Sequence, residues 1–271
     1  MRKRKYLMGL TLALATSVAV AGTAHAAVLG QTLTVAPSPT KQAKKKFGAG
    51  ALDVNIATTH SFPQPAAQTA QQTDVDFDKD YRFTPGKLPQ CNPASLANTT
   101  TAAAQAACPG SQVGSGDATL CSSAGGCGAL SIPAVVTAFN GTPSGGNPTF
   151  LLHVKAGGIA AAVPNLVLVG TLINSPAGGE FGKRLSVQVP DTSSQGVQLT
   201  NFHTVVPKTR SQKPKKKKGK KKKPARYYIE ARCSDKSWQF QETTLFRAGG
   251  GTATGTATVP CKQKKAKKKK K

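Results

Sequence analysis

The amino-acid sequence predicts an all-β protein, built as a single β-sandwich or jelly-roll-like domain with one short helix. After residue 27, short runs rich in Val, Thr, Leu and aromatic residues alternate with Gly, Pro, Asn and Ser, and eleven of these runs are strand-like. Many short strands separated by turn signals are typical of sandwiches and jelly rolls. Pro93 to Ala107 is the one stretch with a helical composition, because it is rich in Ala and is followed by the helix-breaking pair Pro109-Gly110.

The predicted elements follow the chain in order, after a less regular first segment. Residues 27–72 are predicted to form an extended N-terminal arm or linker, since the sequence from Ala36 onward is rich in Pro, Gln, Ala and Thr. Residues 73–261 are predicted to form the sandwich domain, with a turn at Gly114-Ser115-Gly116-Asp117. Strands are expected at residues 31–35, 52–58, 73–83, 130–139, 149–155, 166–173, 185–189, 196–206, 226–233, 237–247 and 252–259.

The first 26 residues have the pattern of a secretory signal peptide. Arg2-Lys3-Arg4-Lys5 is followed by an apolar stretch from Leu7 to about Ala21, and Ala24-His25-Ala26 is a small-residue cleavage site. The pattern predicts export by the general route and a mature chain that begins at Ala27. An uncleaved anchor helix is the alternative for this segment.

One later stretch, Ala156 to Ile173, is apolar enough to be compared with a membrane span. It contains Gly157, Gly158 and Pro164, which interrupt a helix, and ends in a run of Val and Leu. We expect a turn followed by a strand, and no transmembrane span after signal cleavage.

Six cysteines follow the signal segment, and an even number in an exported chain favours disulfides. Six cysteines allow 15 pairings, but pairing of sequence neighbours is suggested for Cys91–Cys108, Cys121–Cys127 and Cys233–Cys261. Zinc binding at Cys121 and Cys127 is the alternative, although five residues separate them and no His lies near.

The net charge of +26 is concentrated in appendages. Four segments, residues 2–5, 41–46, 208–226 and 262–271, hold 28 of the 37 Lys and Arg residues. The nine others face 11 Asp and Glu residues, so the body of the protein is close to neutral. A folded nucleic-acid-binding face is therefore not indicated.

The two largest basic segments are predicted to be a disordered loop at residues 207–225, between two strands, and a basic tail at residues 262–271. With Cys233–Cys261 paired, their roots would lie roughly 25 Å apart, within reach of one extended polymer. The predicted polyanion-binding residues are Lys215, Lys216, Lys217, Lys218, Lys220, Lys221, Lys222, Lys223, Lys264, Lys265, Lys267, Lys268 and Lys269.

The expected partners of these lysines are anionic envelope polymers or lipid head groups, held electrostatically, with polysaccharide as a further candidate. No aromatic residue interrupts the lysine runs, so sequence-specific nucleic-acid binding is not expected. The alternative is that the lysines only keep the protein soluble.

Asp74, Asp76, Asp78 and Asp80 alternate with other residues, so a strand would place all four carboxylates on one face. Three hypotheses fit this pattern. The face is solvated, it is an internal docking site for the lysine runs, or it binds Ca²⁺.

Patterns that would indicate catalysis are weak. No Gly-x-Ser-x-Gly sequence occurs, and His60, His153 and His203 are not tied to a nucleophile by spacing. We therefore predict a non-catalytic protein without a cofactor or metal, and a salt bridge between Glu230 and the neighbouring Arg232. A carbohydrate-active jelly-roll enzyme is the alternative, with five candidate carboxylates: Glu180, Asp191, Glu230, Asp235 and Glu242.

A carbohydrate-binding module is a third hypothesis. Tyr227, Tyr228 and Trp238 lie on predicted neighbouring strands and could form a platform on which sugar rings stack.

Several motifs together resemble a group of uncharacterised secreted proteins of high-GC soil actinobacteria. They are Leu88-Pro89-Gln90-Cys91, the run Ala107-Cys108-Pro109-Gly110 with the glycines after it, Ala138-Phe139-Asn140-Gly141, Ala231-Arg232-Cys233, Trp238-Gln239-Phe240 and Cys261. The resemblance spans roughly residues 72–261. It implies export, disulfides and a β-sandwich, but no activity. Together these observations predict a secreted, cell-wall-associated surface protein whose lysine runs bind anionic polymers.

Overall fold

The computed structural model describes residues 28–60, 69–85, 88–122, 126–158, 164–192, 196–212, 225–247 and 250–264. The predicted signal peptide, Lys215 to Lys223, and the tail lysines from Lys265 onward lie outside these residues.

The described residues are mostly β-strand, which confirms the all-β prediction. The strands are β1 (Val28–Ser38), β2 (Lys41–Gln42), β3 (Gly48–His60), β4 (Ala70–Asp78), β5 (Tyr81–Phe83), β6 (Gln112–Ser122), β7 (Leu130–Ser144), β8 (Asn147–Ala156), β9 (Leu166–Asn174), β10 (Phe181–Gln188), β11 (Val197–Val206), β12 (Arg210–Gln212), β13 (Arg226–Tyr227), β14 (Ile229–Ala231), β15 (Ser237–Phe246), β16 (Thr252–Pro260) and β17 (Lys262–Gln263). Helices are a 3-10 helix at Pro93–Leu96, α1 (Thr101–Ala107) and α2 (Gly126–Ala129).

One large antiparallel sheet has the strand order β16-β15-β4-β10-β9-β8-β7-β6-β11-β3-β14-β5, with β1 also paired to β3. The sheet folds over, since β1 and β16 lie side by side although they are far apart along this order. A Cβ atom at Gly255 of β16 would lie 2.9 Å from the Leu33 backbone nitrogen of β1. The result is a sandwich-like enclosure around one main core.

The core is assembled from alternate residues of strands in both layers. On β15, Trp238 and Phe240 are buried and point toward the interior. Edge-to-face contacts link these rings to β4 and β5, with centroids 6.4 Å apart for Phe77–Phe240 and 5.3 Å apart for Tyr81–Trp238. The Trp238 indole donates a hydrogen bond to the Arg232 carbonyl at 2.7 Å, so its polar atom is satisfied in the core.

The predicted N-terminal arm is wrong for the residues that are described. β1 and β3 pair over most of their length, and β3 also pairs with β11 and β14. Leu33, Val35 and Leu52 are buried in the main core. The irregular composition after Ala36 belongs to the short connection that contains β2, and the sheet begins well before residue 72.

The turn predicted at Gly114 to Asp117 is also wrong, because these residues lie inside β6. This strand pairs with β7 on one side and β11 on the other. It is a central strand that the composition did not reveal.

The predicted helix is present as two pieces. Residues between Leu96 and Thr101 break it, since Ala97 and Thr100 have extended backbone conformations. The Thr100 hydroxyl caps α1 by accepting from the Ala103 amide. Leu96 and Ala104 pack with Phe139 of β7 and Leu151 of β8 in a second, smaller core. This core lies on the outer face of the sheet, opposite the main core. No helix among the described residues has the length and apolarity needed to cross a membrane.

All three predicted disulfides are present, as Cys91–Cys108, Cys121–Cys127 and Cys233–Cys261. The zinc alternative at Cys121 and Cys127 is therefore wrong. Cys91–Cys108 closes the helical segment, and Cys233–Cys261 joins the second residue after β14 to the residue directly after β16.

Candidate functional site

The C-terminal basic segment begins beside an N-terminal one. β17 pairs in parallel with β2, so that Lys262 is the register partner of Lys41. The Lys262 amide donates to the Thr40 carbonyl at 2.9 Å, and the Lys264 amide donates to the Gln42 carbonyl at 2.7 Å. We call the six lysines of this region the basic end: Lys41, Lys44, Lys45, Lys46, Lys262 and Lys264.

The basic end is exposed and not neutralised within the described chain. All six lysines are exposed, and none forms a salt bridge with the described residues. Register partners in a sheet lie on the same face about 4.8 Å apart, and like charges there repel. A bound anion would relieve the repulsion between Lys41 and Lys262.

Two glutamine side chains fix this unfavourable arrangement of charges. The Gln42 side chain is buried and donates to the Ala49 carbonyl at 2.9 Å. The Gln263 side chain donates to the Ser234 carbonyl at 3.0 Å, next to the Cys233–Cys261 disulfide. The pairing of β2 with β17 is therefore held by neutral groups, while the lysines remain available.

The lysine-rich loop connects β12 and β13, which form a two-stranded sheet of their own. β12 pairs with β13, with Arg210 opposite Tyr227, and the run from Lys215 to Lys223 connects these two strands. The Lys208 ammonium group lies 5.6 Å from the centroid of the Tyr227 ring. Of the residues flanking the run, Lys208, Arg210 and Arg226 are exposed.

The chain from Arg226 to Cys233 connects the loop root with the tail root. Seven residues of nearly extended chain span at most about 23 Å. Phe47 lies beside this path, with the guanidinium carbons of Arg82 and Arg232 at 4.2 and 4.9 Å from its ring centroid. Both arginines are already paired with carboxylates, so the free positive charge belongs to the lysines.

The aspartate strip is not a solvated face. Asp76, Asp78 and Asp80 are at most 1% exposed. Asp76 forms a bidentate ion pair with Arg184, at 2.9 Å from Nε and 2.6 Å from Nη2, and Arg184 also contacts Asp74 at 3.0 Å. Among the described residues, no group of three or more His, Cys, Asp or Glu has a metal-binding arrangement.

The carboxylates of Asp78 and Asp80 accept hydrogen bonds from backbone amides. Asp78 accepts from the amides of Asp80 and Gln239, both at 2.8 Å, yet burial raises the pKa of Asp78 to about 6. Asp80 accepts from Arg232 Nε at 2.6 Å and from the Ser234 amide at 2.5 Å. These contacts leave no open face on which the lysine runs could dock.

Four of the five carboxylates considered for glycoside hydrolysis form ion pairs with lysine or arginine. Glu180 and Asp235 contact Lys79 at 2.7 and 3.7 Å, and Asp191 contacts Arg247 at 3.7 Å. Glu230 pairs with Arg82 at 2.6 Å, so the predicted pairing with Arg232 is wrong. β5 lies beside β14 and supplies Arg82 from directly across the strand pair.

Glu242 differs from these because it lies in the core. Burial raises the pKa of Glu242 to about 7, and the negative charge of Asp74 acts in the same direction. The Thr244 hydroxyl donates to Glu242 Oε1, whereas Oε2 has no partner among the described residues. Glu242 is opposite Val75 and Gly255 on the neighbouring strands. It lies on the inner face of the sheet, away from solvent.

Two of the three aromatic residues proposed as a sugar platform are buried. Trp238 and Tyr228 are at most 1% exposed, and Tyr227 alone is partly exposed. The platform prediction is wrong for Trp238 and Tyr228, because inward-facing positions of β15 and the chain beside β14 place them in the core.

In comparisons with known proteins, no family model, curated protein or solved structure matched the chain.

His203 forms an ion-pair cluster that spacing alone did not reveal. Its Nδ1 lies 2.8 Å from Asp117 Oδ1, and its Nε2 lies 2.9 Å from Asp53 Oδ1. The three residues come from adjacent strands β11, β6 and β3. The hydrogen bond to Asp117 is the main cause that raises the pKa of His203, with Asp53 contributing, so the cluster favours the imidazolium.

We expect His203→Gln to destabilise the protein at pH 5.5 but hardly at pH 9. A histidine with a raised folded pKa stabilises below its unfolded pKa, and this contribution is lost as pH rises through the folded pKa. The side chains are partly exposed, so the difference should be at most about 1 kcal/mol. Denaturant unfolding at both pH values measures it. Asp117→Asn should reduce the same pH dependence, and an equal loss at both pH values would contradict this role.

Proposed function

We propose that this protein is a secreted, non-catalytic cell-envelope or surface protein that binds anionic polymers through its basic end and its two lysine runs. The observation that carries the proposal is the parallel pairing of β2 and β17, which places Lys262 opposite Lys41. This arrangement joins two of the basic segments into one site and gives it an unneutralised charge.

The partition of charge supports the same function. The basic segments hold 28 of the 37 cationic residues, whereas the buried carboxylates of Asp76, Glu230 and Asp80 are paired with Arg184, Arg82 and Arg232. Lysines are compact, hydrated charges that contact phosphate or carboxylate groups without requiring a fixed geometry. The ligand class is therefore a flexible, repeating anion, with phosphate-rich wall polymers as the main candidate.

Binding through these lysines should be strongly dependent on salt. We expect replacement of the fifteen lysines in 215–223 and 264–271 by Gln to lower retention on isolated cell envelopes at least about tenfold in 150 mM NaCl. The logarithm of the affinity should also fall less steeply with the logarithm of salt concentration, because fewer counterions are released. Long-chain polyphosphate and phosphatidylglycerol vesicles, titrated separately, distinguish a polymer from a lipid surface.

Gln replacement keeps the length of both runs, so it changes charge without shortening the chain. Lys183→Gln is the matched control, since this half-buried lysine lies on β10, outside the basic segments. Its retention should equal that of the unaltered protein. Equal retention of the fifteen-lysine variant would contradict the proposal and assign the lysines to solubility.

A second variant tests the structured part of the site. Lys41→Gln combined with Lys262→Gln should weaken retention while slightly stabilising the fold, because it removes a repulsive register pair.

A further inference from the structure

The sandwich contains an apolar cavity between its two layers. Its volume is about 120 Å³. Side chains from β3, β4, β8, β9, β10, β11 and β15 line it. Most of them are aliphatic, and five are phenylalanines: Phe77, Phe83, Phe150, Phe202 and Phe246. None of the described lining residues is charged.

A void of this size is unusual in a protein interior. Cores are packed about as densely as organic crystals, and a void deprives its lining atoms of van der Waals contacts. A cavity of about 150 Å³ lined by Leu, Ile and Phe stays dry and binds benzene. The present cavity is therefore suited to one molecule of roughly the size of a six-membered ring.

Two hydroxyl groups of lining residues, those of Tyr228 and Thr204, are buried and form no hydrogen bond with the described residues. Buried tyrosine hydroxyls usually have a hydrogen-bond partner, and leaving one unsatisfied is costly. Burial also raises the pKa of Tyr228, so the hydroxyl keeps its proton and can donate.

Four other polar side chains of the wall are connected to each other. Thr58 donates to Gln31 at 3.2 Å, Gln31 donates to Thr244 at 3.4 Å, and the hydroxyls of Thr73 and Thr244 lie 2.8 Å apart. This chain ends where Thr244 donates to Glu242. Tyr228 and Thr204 therefore have hydrogen-bonding capacity for a ligand, and the phenolic hydroxyl of Tyr228 is the stronger donor of the two.

We propose that the cavity binds one small, uncharged, largely apolar molecule whose single oxygen accepts a hydrogen bond from Tyr228. The uncharged lining excludes an ionic ligand, since no counter-charge would compensate its desolvation. The five phenylalanine rings favour a ring-shaped or branched hydrocarbon body. This site is separate from the basic end, so it does not depend on polymer binding.

Phenol and toluene provide a direct test, because they have nearly the same shape and differ in the hydroxyl group. Calorimetric titration of the unaltered protein should show saturable binding of both, with phenol roughly 3- to 10-fold tighter, as one hydrogen bond implies. Tyr228→Phe should remove the preference for phenol and retain toluene binding. Tyr227→Phe is the matched control and should keep the preference.

A variant that fills the cavity distinguishes binding of the probes inside it from binding on the outer surface. Val54→Phe adds a ring at a half-buried wall position and should abolish binding of both probes, while circular dichroism verifies that the sheet is intact. Absence of binding to the unaltered protein would overturn the proposal. Equal affinities for phenol and toluene, or a phenol preference that persists in Tyr228→Phe, would overturn the role of Tyr228.

Discussion

Arg184→Met is expected to lower the free energy of unfolding by about 3–5 kcal/mol, because it leaves a buried carboxylate without its cation. Asp76 is 0% exposed and receives two hydrogen bonds from the Arg184 guanidinium. Methionine covers similar apolar surface but cannot donate. Denaturant unfolding, followed by the fluorescence of the single Trp, measures the loss.

The adjacent lysine is the control for this experiment. Lys183→Met removes a cation from the same strand, but Lys183 is bonded to the neutral Asn174 side chain at 2.7 Å. Lys183→Met should change the free energy of unfolding by less than about 0.5 kcal/mol. Adding Asp76→Asn to Arg184→Met should recover part of the loss, because the uncompensated charge is then gone. A small loss in Arg184→Met itself would show that Asp76 does not need its partner.

Gly116→Ala should also be strongly destabilising, by about 3 kcal/mol, at the upper end of the usual range for overpacking. A Cβ atom at this position would lie 1.9 Å from the carbonyl oxygen of His203 on β11. The neighbouring atom is backbone, so the strands themselves must separate. Denaturant unfolding at pH 7, followed by the fluorescence of the single Trp, measures this loss.

Gly30→Ala tests whether the effect is specific to the close approach. Gly30 also lies in a strand, but a Cβ atom there meets nothing within 4 Å. We expect a change of less than about 1 kcal/mol, because the substitution mainly restricts the unfolded chain. Similar losses in both variants would mean that the spacing between β6 and β11 is not the cause.

The same close approach explains why β6 was not predicted. Strand prediction depends on bulky side chains that alternate between two faces, but Gly114 and Gly116 have none. They are glycine because β11 passes too close for a Cβ, which is a property of the folded sheet. By contrast, β8, β9 and β15 were predictable, since their alternating or continuous apolar residues indicate burial directly.

The aspartate strip shows what a local pattern can and cannot provide. Alternation correctly indicated that Asp74 and Asp76 share a face, as both contact Arg184. The cation is more than 100 residues away and reaches β4 only through strand pairing. A pattern of acids alone could not distinguish water, Ca²⁺ or an arginine as the compensating group.

The candidate sites were predictable to different degrees. Sequence neighbours indicated the three disulfides, and composition indicated the lysine runs. The pairing of Lys41 with Lys262 and the cavity beside Tyr228 could not be predicted, because they require the register of strands distant in sequence.

The disulfide between Cys233 and Cys261 also determines how the protein bears mechanical force. Under the proposed attachment of the tail to a wall polymer, tension would enter at Lys264 and reach Cys261 three residues earlier in the chain. The covalent bond transfers that load to Cys233, beside β14, which lies between β3 and β5. β16 would thereby be shielded from being peeled off β15, so tension on the tail would not unravel the sheet from this strand.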